Sequence, residues 1–352
     1  MNQILKDIKP FPTYSEAKDA NLEWPKHRSE EYWEYRRRWS EIPKNMEVTK
    51  FPIHLDIETT SYCNLLCIMC PRTIMVKEKT GYLEDVELPM ELYKRIIDEG
   101  AQNGLCSVKL QYLGEPLADS KIVERIKYAK DNGILDVMIN TNATLLTEEM
   151  SHKILEAGLD DIFFSIDSID PAKYNKIRIG AEYYSVIDNI KKFLKIKEEG
   201  GYKHVQTRTS MVVLPGTKPD EIKRYLDFWK PLVGIVGFDE WTDYSSGHGE
   251  YEDYNPEFVC AMPFQRMFIL YDGRCTPCCA DSKRAYVIGD ANKQTITEIW
   301  HGERLTKLRN AHINGRYRDI DICKQCIVPH SKSSGDSKFD KNMFNKPVTK
   351  TS

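Results

Sequence analysis

The stretch "TTSYCNLLCIMCPR", residues 59–72, sets Cys63, Cys67 and Cys70 at C-x3-C-x2-C spacing. Three thiolates this close suit a metal centre. A structural zinc takes four ligands, and so does an ordinary [4Fe–4S] cluster. No fourth Cys or His lies nearby, since His54 is the second residue of a strand-like run and reads as structural. Three ligands leave one coordination position open to a small molecule, which catalysis uses and structural sites avoid. A second group, Cys260, Cys275, Cys278, Cys279, Cys323 and Cys326, lies far downstream. From Cys260 the spacing runs C-x12-G-x4-C to Cys278. With the C-x2-C of Cys323 and Cys326 this makes four thiolates, a full set for a closed cluster. A zinc ribbon is the structural alternative. The spacing leaves open which of Cys275, Cys278 and Cys279 is the ligand. Cys106 reads as an inert core or loop residue.

These groups need elements to position them. From residue 51 strand-like and helix-like runs alternate: "IHLDIETT", "VKLQYLGEP", "LDVMINTNAT", "DIFFSIDS", "TRTSMVVL" and "IVGFDEW" are strands separated by amphipathic helices. Such alternation predicts a parallel sheet of about six βα units over 51–250, short of the eight of a closed barrel. The first cysteine group falls directly after the first strand, at the end where βα barrels carry their active sites. Thr147 should cap one helix and Asn132-Gly133 should end another. Residues 1–50 read as a helical extension whose "SEEYWEYRRRWSEI" packs on the outside. Residues 243–256, rich in Gly, Ser, Asn, Pro and acids, read as a linker into a small Cys-rich α+β module over 251–330, with a hairpin at Asp272-Gly273. Residues 331–352 read as a disordered tail.

The chain has 352 residues, 41% of them hydrophobic, enough for a large domain and a smaller one. Its net charge of −3 gives no overall sign of nucleic-acid binding. The N-terminus lacks a secretory apolar core and no run is apolar enough to span a membrane, so a cytoplasmic protein is expected. In a reducing compartment, ten cysteines point to metal or catalysis rather than disulfides.

"CNLLCIMC" after the first strand resembles the signature of radical S-adenosylmethionine (SAM) enzymes, with Met69 where an aromatic residue is usual. The resemblance implies a partial (βα)6 TIM-like barrel and a [4Fe–4S] cluster on Cys63, Cys67 and Cys70. Its open iron would bind SAM, and reductive cleavage would yield a 5′-deoxyadenosyl radical that takes a substrate hydrogen. "YLGEP" matches the family's Gly-Glu-Pro motif, which implies SAM contacts at Gly114, Glu115 and Pro116. Ser165 and Asp167 share one strand face and match polar positions that meet SAM. Asn140 and Asn142 stand in the Thr-Asn-Gly place, with Ala143 for the usual Gly. Arg208 could grip the SAM carboxylate, or be a surface arginine at a strand end.

The C-terminal module resembles the SPASM or shorter "twitch" extension, which implies one auxiliary [4Fe–4S] cluster on Cys260, Cys278, Cys323 and Cys326. The resemblance further implies dehydrogenation of a secondary alcohol on a sugar-like or aminocyclitol substrate, with an external electron donor such as flavodoxin or ferredoxin. A radical epimerase drawing hydrogen from Cys279 is an alternative, although Cys279 as a small buried residue is the plainer reading. A peptide maturase is a third reading, and a non-catalytic iron–sulfur or zinc scaffold is one of another class. Tyr112, Trp241, Asp243, Tyr244 and His248 are substrate candidates by position. No membrane or nucleic-acid partner is expected.

Overall fold

The computed structural model describes residues 14–18, 22–241 and 257–326. The linker, the C-terminal tail, Asp243, Tyr244 and His248 lie outside them. The strands are β1 (Tyr14–Lys18), β2 (His54–Ile57), β3 (Ser107–Lys109), β4 (Asp136–Thr141), β5 (Asp161–Ser165), β6 (Gln206–Val213), β7 (Ile235–Glu240), β8 (Arg266–Ile269), β9 (Arg274–Thr276) and β10 (Gly289–Asp290). The helices are α1 (Glu30–Lys44), α2 (Pro71–Glu78), α3 (Met90–Asn103), α4 (Ile122–Asp131), α5 (Glu148–Glu156), α6 (Pro171–Ile177), α7 (Tyr183–Glu199), α8 (Pro219–Trp229), α9 (Met262–Gln265), α10 (Ile296–Trp300), α11 (Glu303–Ile313) and α12 (Asp321–Lys324).

All ten strands form one sheet in the order β1-β7-β6-β5-β4-β3-β2-β8-β9-β10. β2 to β7 run parallel, so the six expected βα strands are present and the sheet stays open. Successive parallel strands need crossovers, and the amphipathic helices supply them. Their apolar faces bury residues such as Tyr93, Ile97, Ile126, Ile190, Phe193 and Trp229 against the sheet. Thr147 caps α5 by accepting from the Met150 amide at 3.1 Å, and Gly133, at φ 82°, closes α4.

Two expectations change. The Cys-rich module does not stand apart from the barrel. β8 pairs parallel with β2, Leu55 opposite Met267, and the Asp272-Gly273 hairpin extends the sheet through β9. The buried Cys275 and Ile288 belong to the same core as the barrel. The N-terminal segment is also neither wholly helical nor an outer decoration. β1 pairs antiparallel with β7 at the sheet edge. Helix α1, capped by Ser29, buries Tyr32, Tyr35, Trp39 and Ile42. Just before it, the Arg28 guanidinium meets Asp136 at 3.1 Å, Asp160 at 3.4 Å and Asp161. Asp136 and Asp161 begin β4 and β5, and Arg28 Nε also reaches the His204 carbonyl ahead of β6. Trp39 packs on His54, which begins β2, with ring centroids 5.4 Å apart. The segment therefore packs across the N-terminal end of the barrel.

Candidate active site

At the C-terminal ends of the strands lies a cavity of about 410 Å³. It is lined by Cys63, Cys67 and Cys70 on one side, by Tyr112, Gly114 and Glu115 after β3, by Asn140 and Asn142 of β4 and its loop, by Ser165 of β5, and by Asp239 and Trp241. The structure thus brings together most of the residues expected to meet SAM, with the three thiols among them.

Local chemistry explains the cysteine loop. Cys70 is the N-cap of α2 and Pro71 its first residue, where a proline costs no hydrogen bond. The loop is pinned from below by Arg72 Nε, which donates to the Ser61 carbonyl at 2.8 Å. It is pinned from the side by the Leu66 and Ile68 amides, which donate to the carbonyls of Ile179 and Ile177 at 2.9 and 3.0 Å. Burial pushes the Cys63 thiol up to about 12 and the Cys67 thiol up to about 11, the latter moderated by Arg178. Arg178 Nη1 lies 3.9 Å from Cys67 Sγ.

The loop after β3 approaches the one after β2 so closely that a Cβ on Gly114 would sit 1.9 Å from the Thr60 carbonyl oxygen. The Glu115 amide donates to the Tyr62 carbonyl at 2.7 Å. The Glu115 carboxylate is buried and accepts from Thr141 Oγ1 at 2.6 Å, the Asn142 amide at 2.9 Å and the Leu117 amide at 3.1 Å. It ties the ends of β3 and β4 together. Pro116, buried, starts the short turn that follows. Asn142 Nδ2 donates to Asn64 at 3.0 Å, and its Oδ1 accepts from Thr144. Ala143 follows at φ 60°, the left-handed backbone a glycine would adopt freely. Asn140 Oδ1 is buried with no partner in the protein.

Two sequence-derived contacts differ. Asp167 does not line the cavity. Its carboxylate accepts from Arg178 Nε at 2.6 Å and from the Val212 amide at 2.8 Å, so it holds Arg178 in place. Arg208 is also absent from the lining. It pairs in register with Phe163, two residues below the Ser165–Ser210 level, and its guanidinium lies 4.7 Å over the Phe163 ring. Arg178 and Asn64 were missed by sequence reasoning. A lone arginine between isoleucines in "KIRIG" was the available signal for the first, and the second carried none.

In the C-terminal module Cys260, Cys278, Cys323 and Cys326 line a cavity of about 130 Å³, together with His312. Cys279 and Cys275 are not among the lining residues. Cys275 is wholly buried in β9. The Cys279 thiol is held below its ordinary range by a bond from Cys278, against burial, and Arg266 acts in the same direction. Tyr112 links the two regions: it lines the first cavity, and its hydroxyl donates to the Cys279 carbonyl at 2.9 Å. Among the described residues, no three Cys, His, Asp or Glu side chains converge as one metal ion would require.

The family model of the radical SAM superfamily matches residues 57–228, and that of the SPASM iron–sulfur cluster-binding domain matches residues 260–327. The chain belongs to the radical SAM superfamily. This radical SAM protein is 24% identical over 320 residues to a tungsten-containing aldehyde ferredoxin oxidoreductase cofactor-modifying protein of Pyrococcus furiosus, covering 77% of this chain and 86% of that one. It is 29% identical over 204 residues to a GTP 3′,8-cyclase of Clostridium botulinum, covering 57% of this chain and 60% of the cyclase. Its fold is similar to that of BtrN in complex with AdoMet and 2-DOIA, with TM-score 0.52, 18% identity and coverage of 79% and 94%. It is also similar to SuiB of Streptococcus suis bound to its precursor peptide SuiA, with TM-score 0.56, 16% identity and coverage of 84% and 75%. As a radical SAM enzyme with a SPASM domain, the protein uses SAM, a [4Fe–4S] cluster and auxiliary iron–sulfur. No described helix is long and apolar enough to cross a membrane.

Proposed function

We propose that the protein is a radical SAM oxidoreductase that removes hydrogen from a secondary alcohol of a small sugar-like or aminocyclitol molecule. Cys63, Cys67 and Cys70 would hold the SAM-binding cluster, and Cys260, Cys278, Cys323 and Cys326 one auxiliary [4Fe–4S] cluster. The residues present fit these groups: three thiols open onto one cavity, the buried Asn140 Oδ1 awaits a partner, and Gly114 leaves a cradle that any Cβ would fill. Bound there, the cluster and SAM would supply the means of taking a hydrogen atom from the substrate. The protein's own residues do the rest. Glu115 and the Asn64–Asn142–Thr144 bonds fix the cavity wall, while Asn140 and Ser165 present polar atoms to it.

Oxidising an alcohol to a ketone also releases a proton. The acidic residues lining the cavity are Glu115, whose oxygens are engaged by three donors, and Asp239. Burial raises the Asp239 carboxyl, which makes it a better proton acceptor than an exposed aspartate. The observation that carries the reading is the Tyr112 link, which sets the Cys278–Cys279 segment beside the first cavity. An electron leaving a substrate radical there would have an acceptor at hand. An external donor such as flavodoxin or ferredoxin would reduce the first cluster. The solved BtrN holds AdoMet with the small molecule 2-DOIA, in accord with this substrate class.

A peptide substrate is the second reading, favoured by the fold's likeness to SuiB with its precursor peptide. Anaerobic incubation with SAM and a panel of aminocyclitols and sugars tests the choice. The expected result is 5′-deoxyadenosine with a product two daltons lighter. An isobaric product abolished by Cys279→Ser would instead establish an epimerase. SAM cleavage with no change in any panel member would refute the sugar assignment.

A further inference from the structure

A buried histidine stands in the auxiliary site that no cysteine spacing announced. His312, near the end of α11, is 2% exposed and lines the cavity of Cys260, Cys278, Cys323 and Cys326. Its ring is clamped. Tyr317 stacks on it with centroids 5.6 Å apart and planes 11° apart, and Phe258 meets it at 6.0 Å and 65°. Its two nitrogens face unlike partners. Nδ1 lies 3.3 Å from the Cys260 backbone nitrogen, whose N–H can only donate. Nδ1 accepts from this amide when the ring proton is on Nε2, and the Phe258 backbone also bonds the ring. The Cys260 contact favours that tautomer. Nε2 lies 3.5 Å from Cys323 Sγ.

We propose that His312 is a positioning residue for the auxiliary cluster, donating its Nε2–H to the Cys323 thiolate and making that cluster easier to reduce. This rests on the four-cysteine ligand set given above. An N–H aimed at a ligating sulfur stabilises the negative charge that reduction adds, so the midpoint potential rises. The Cys260 amide favours the tautomer with the proton on Nε2. The aromatic clamp fixes the ring's direction. A cluster that must accept an electron from a substrate radical gains from this bias, and the same side chain, 52 residues beyond Cys260, bridges the backbone of the first thiol ligand and the thiol of the third.

The test uses the full-length chain carrying Cys63→Ala, Cys67→Ala and Cys70→Ala, so that only the auxiliary cluster is reconstituted. Its reduction is followed by electron paramagnetic resonance in a redox titration. His312→Phe keeps the stacking and removes the donor, His312→Met removes it with a flexible side chain, and His312→Gln keeps an N–H. About four irons per chain are expected in each. The midpoint should move to a more negative potential in the Phe and Met variants, with the Gln variant between them and the parent. An unchanged or more positive midpoint in whichever donor-free variant retains its irons overturns the proposal. Loss of iron from the Phe, Met and Gln variants alike also overturns it, because His312 would then be an iron ligand. Cys323→Ala in the same background separates the two levels: if it keeps about four irons, the ligand set itself is wrong.

Discussion

At the scale of single residues, the site is held by buried, mutually bonded polar groups such as Glu115 and Asp167, and removing one partner should be costly. Asp167 and Arg178 form such a pair, their side chains 0% and 10% exposed. Asp167→Asn leaves the guanidinium uncompensated beside Cys67, and a loss of about 3 kcal/mol in unfolding free energy is expected by denaturant titration. Glu58 gives a pH signature. It follows β2 and accepts from the Tyr82 hydroxyl at 3.1 Å and the Leu113 amide at 3.0 Å, and burial raises its carboxyl from 4.5 to about 7. Below the unfolded value both states are protonated and the full stability is present. As pH rises from about 4.5 to 7 the unfolded chain ionises first, so stability falls, and above 7 the loss is complete. Glu58→Gln should flatten this slope, unfolding at higher denaturant than the parent at pH 8 and at nearly the same denaturant at pH 4.5. The three cysteines were legible in sequence because their spacing is local. Arg178 and His312 were not, because they meet their cysteines through packing, in the case of Arg178 across 111 residues.

At the scale of elements, the working end of the barrel depends on what closes the other end. Trp39 is 6% exposed, packs on His54, lies 4.7 Å from the Arg266 guanidinium and takes a hydrogen bond on its carbonyl from Gln265. Trp39→Ala opens a void against β2 and β8 together. A loss of about 3–5 kcal/mol is expected by denaturant titration, with the irons bound by both cysteine groups reduced in parallel because Cys63 follows β2 and Cys260 leads into β8, the strands that Trp39 supports. The helices were readable from their apolar period and from caps such as Ser29 and Thr147. β1 was not, since "YSEAK" has no apolar alternation and becomes a strand only because the β7 edge offers it partners. The inward role of α1 was hidden for a related reason: its aromatic face reads the same whether it covers a surface or plugs a barrel.

At the scale of the whole molecule, one continuous sheet carries two sets of thiols in different surroundings. The first set opens onto a cavity shared with Asn140, Ser165 and Asp239. The second surrounds a smaller cavity with four thiols and His312. The sheet's continuity through β2 and β8, and the Tyr112–Cys279 bond, fix the distance between them, which no spacing in the chain could reveal. The open set should perform the SAM chemistry and the closed set should hold iron without it. The direct test is iron content and 5′-deoxyadenosine formation in anaerobically reconstituted, reduced protein, compared with the Cys63→Ala, Cys67→Ala, Cys70→Ala variant. About eight irons and steady 5′-deoxyadenosine formation are expected for the parent, and about four irons with no 5′-deoxyadenosine for the variant. SAM cleavage that survives the triple substitution, or an iron content that it leaves unchanged, would contradict the account.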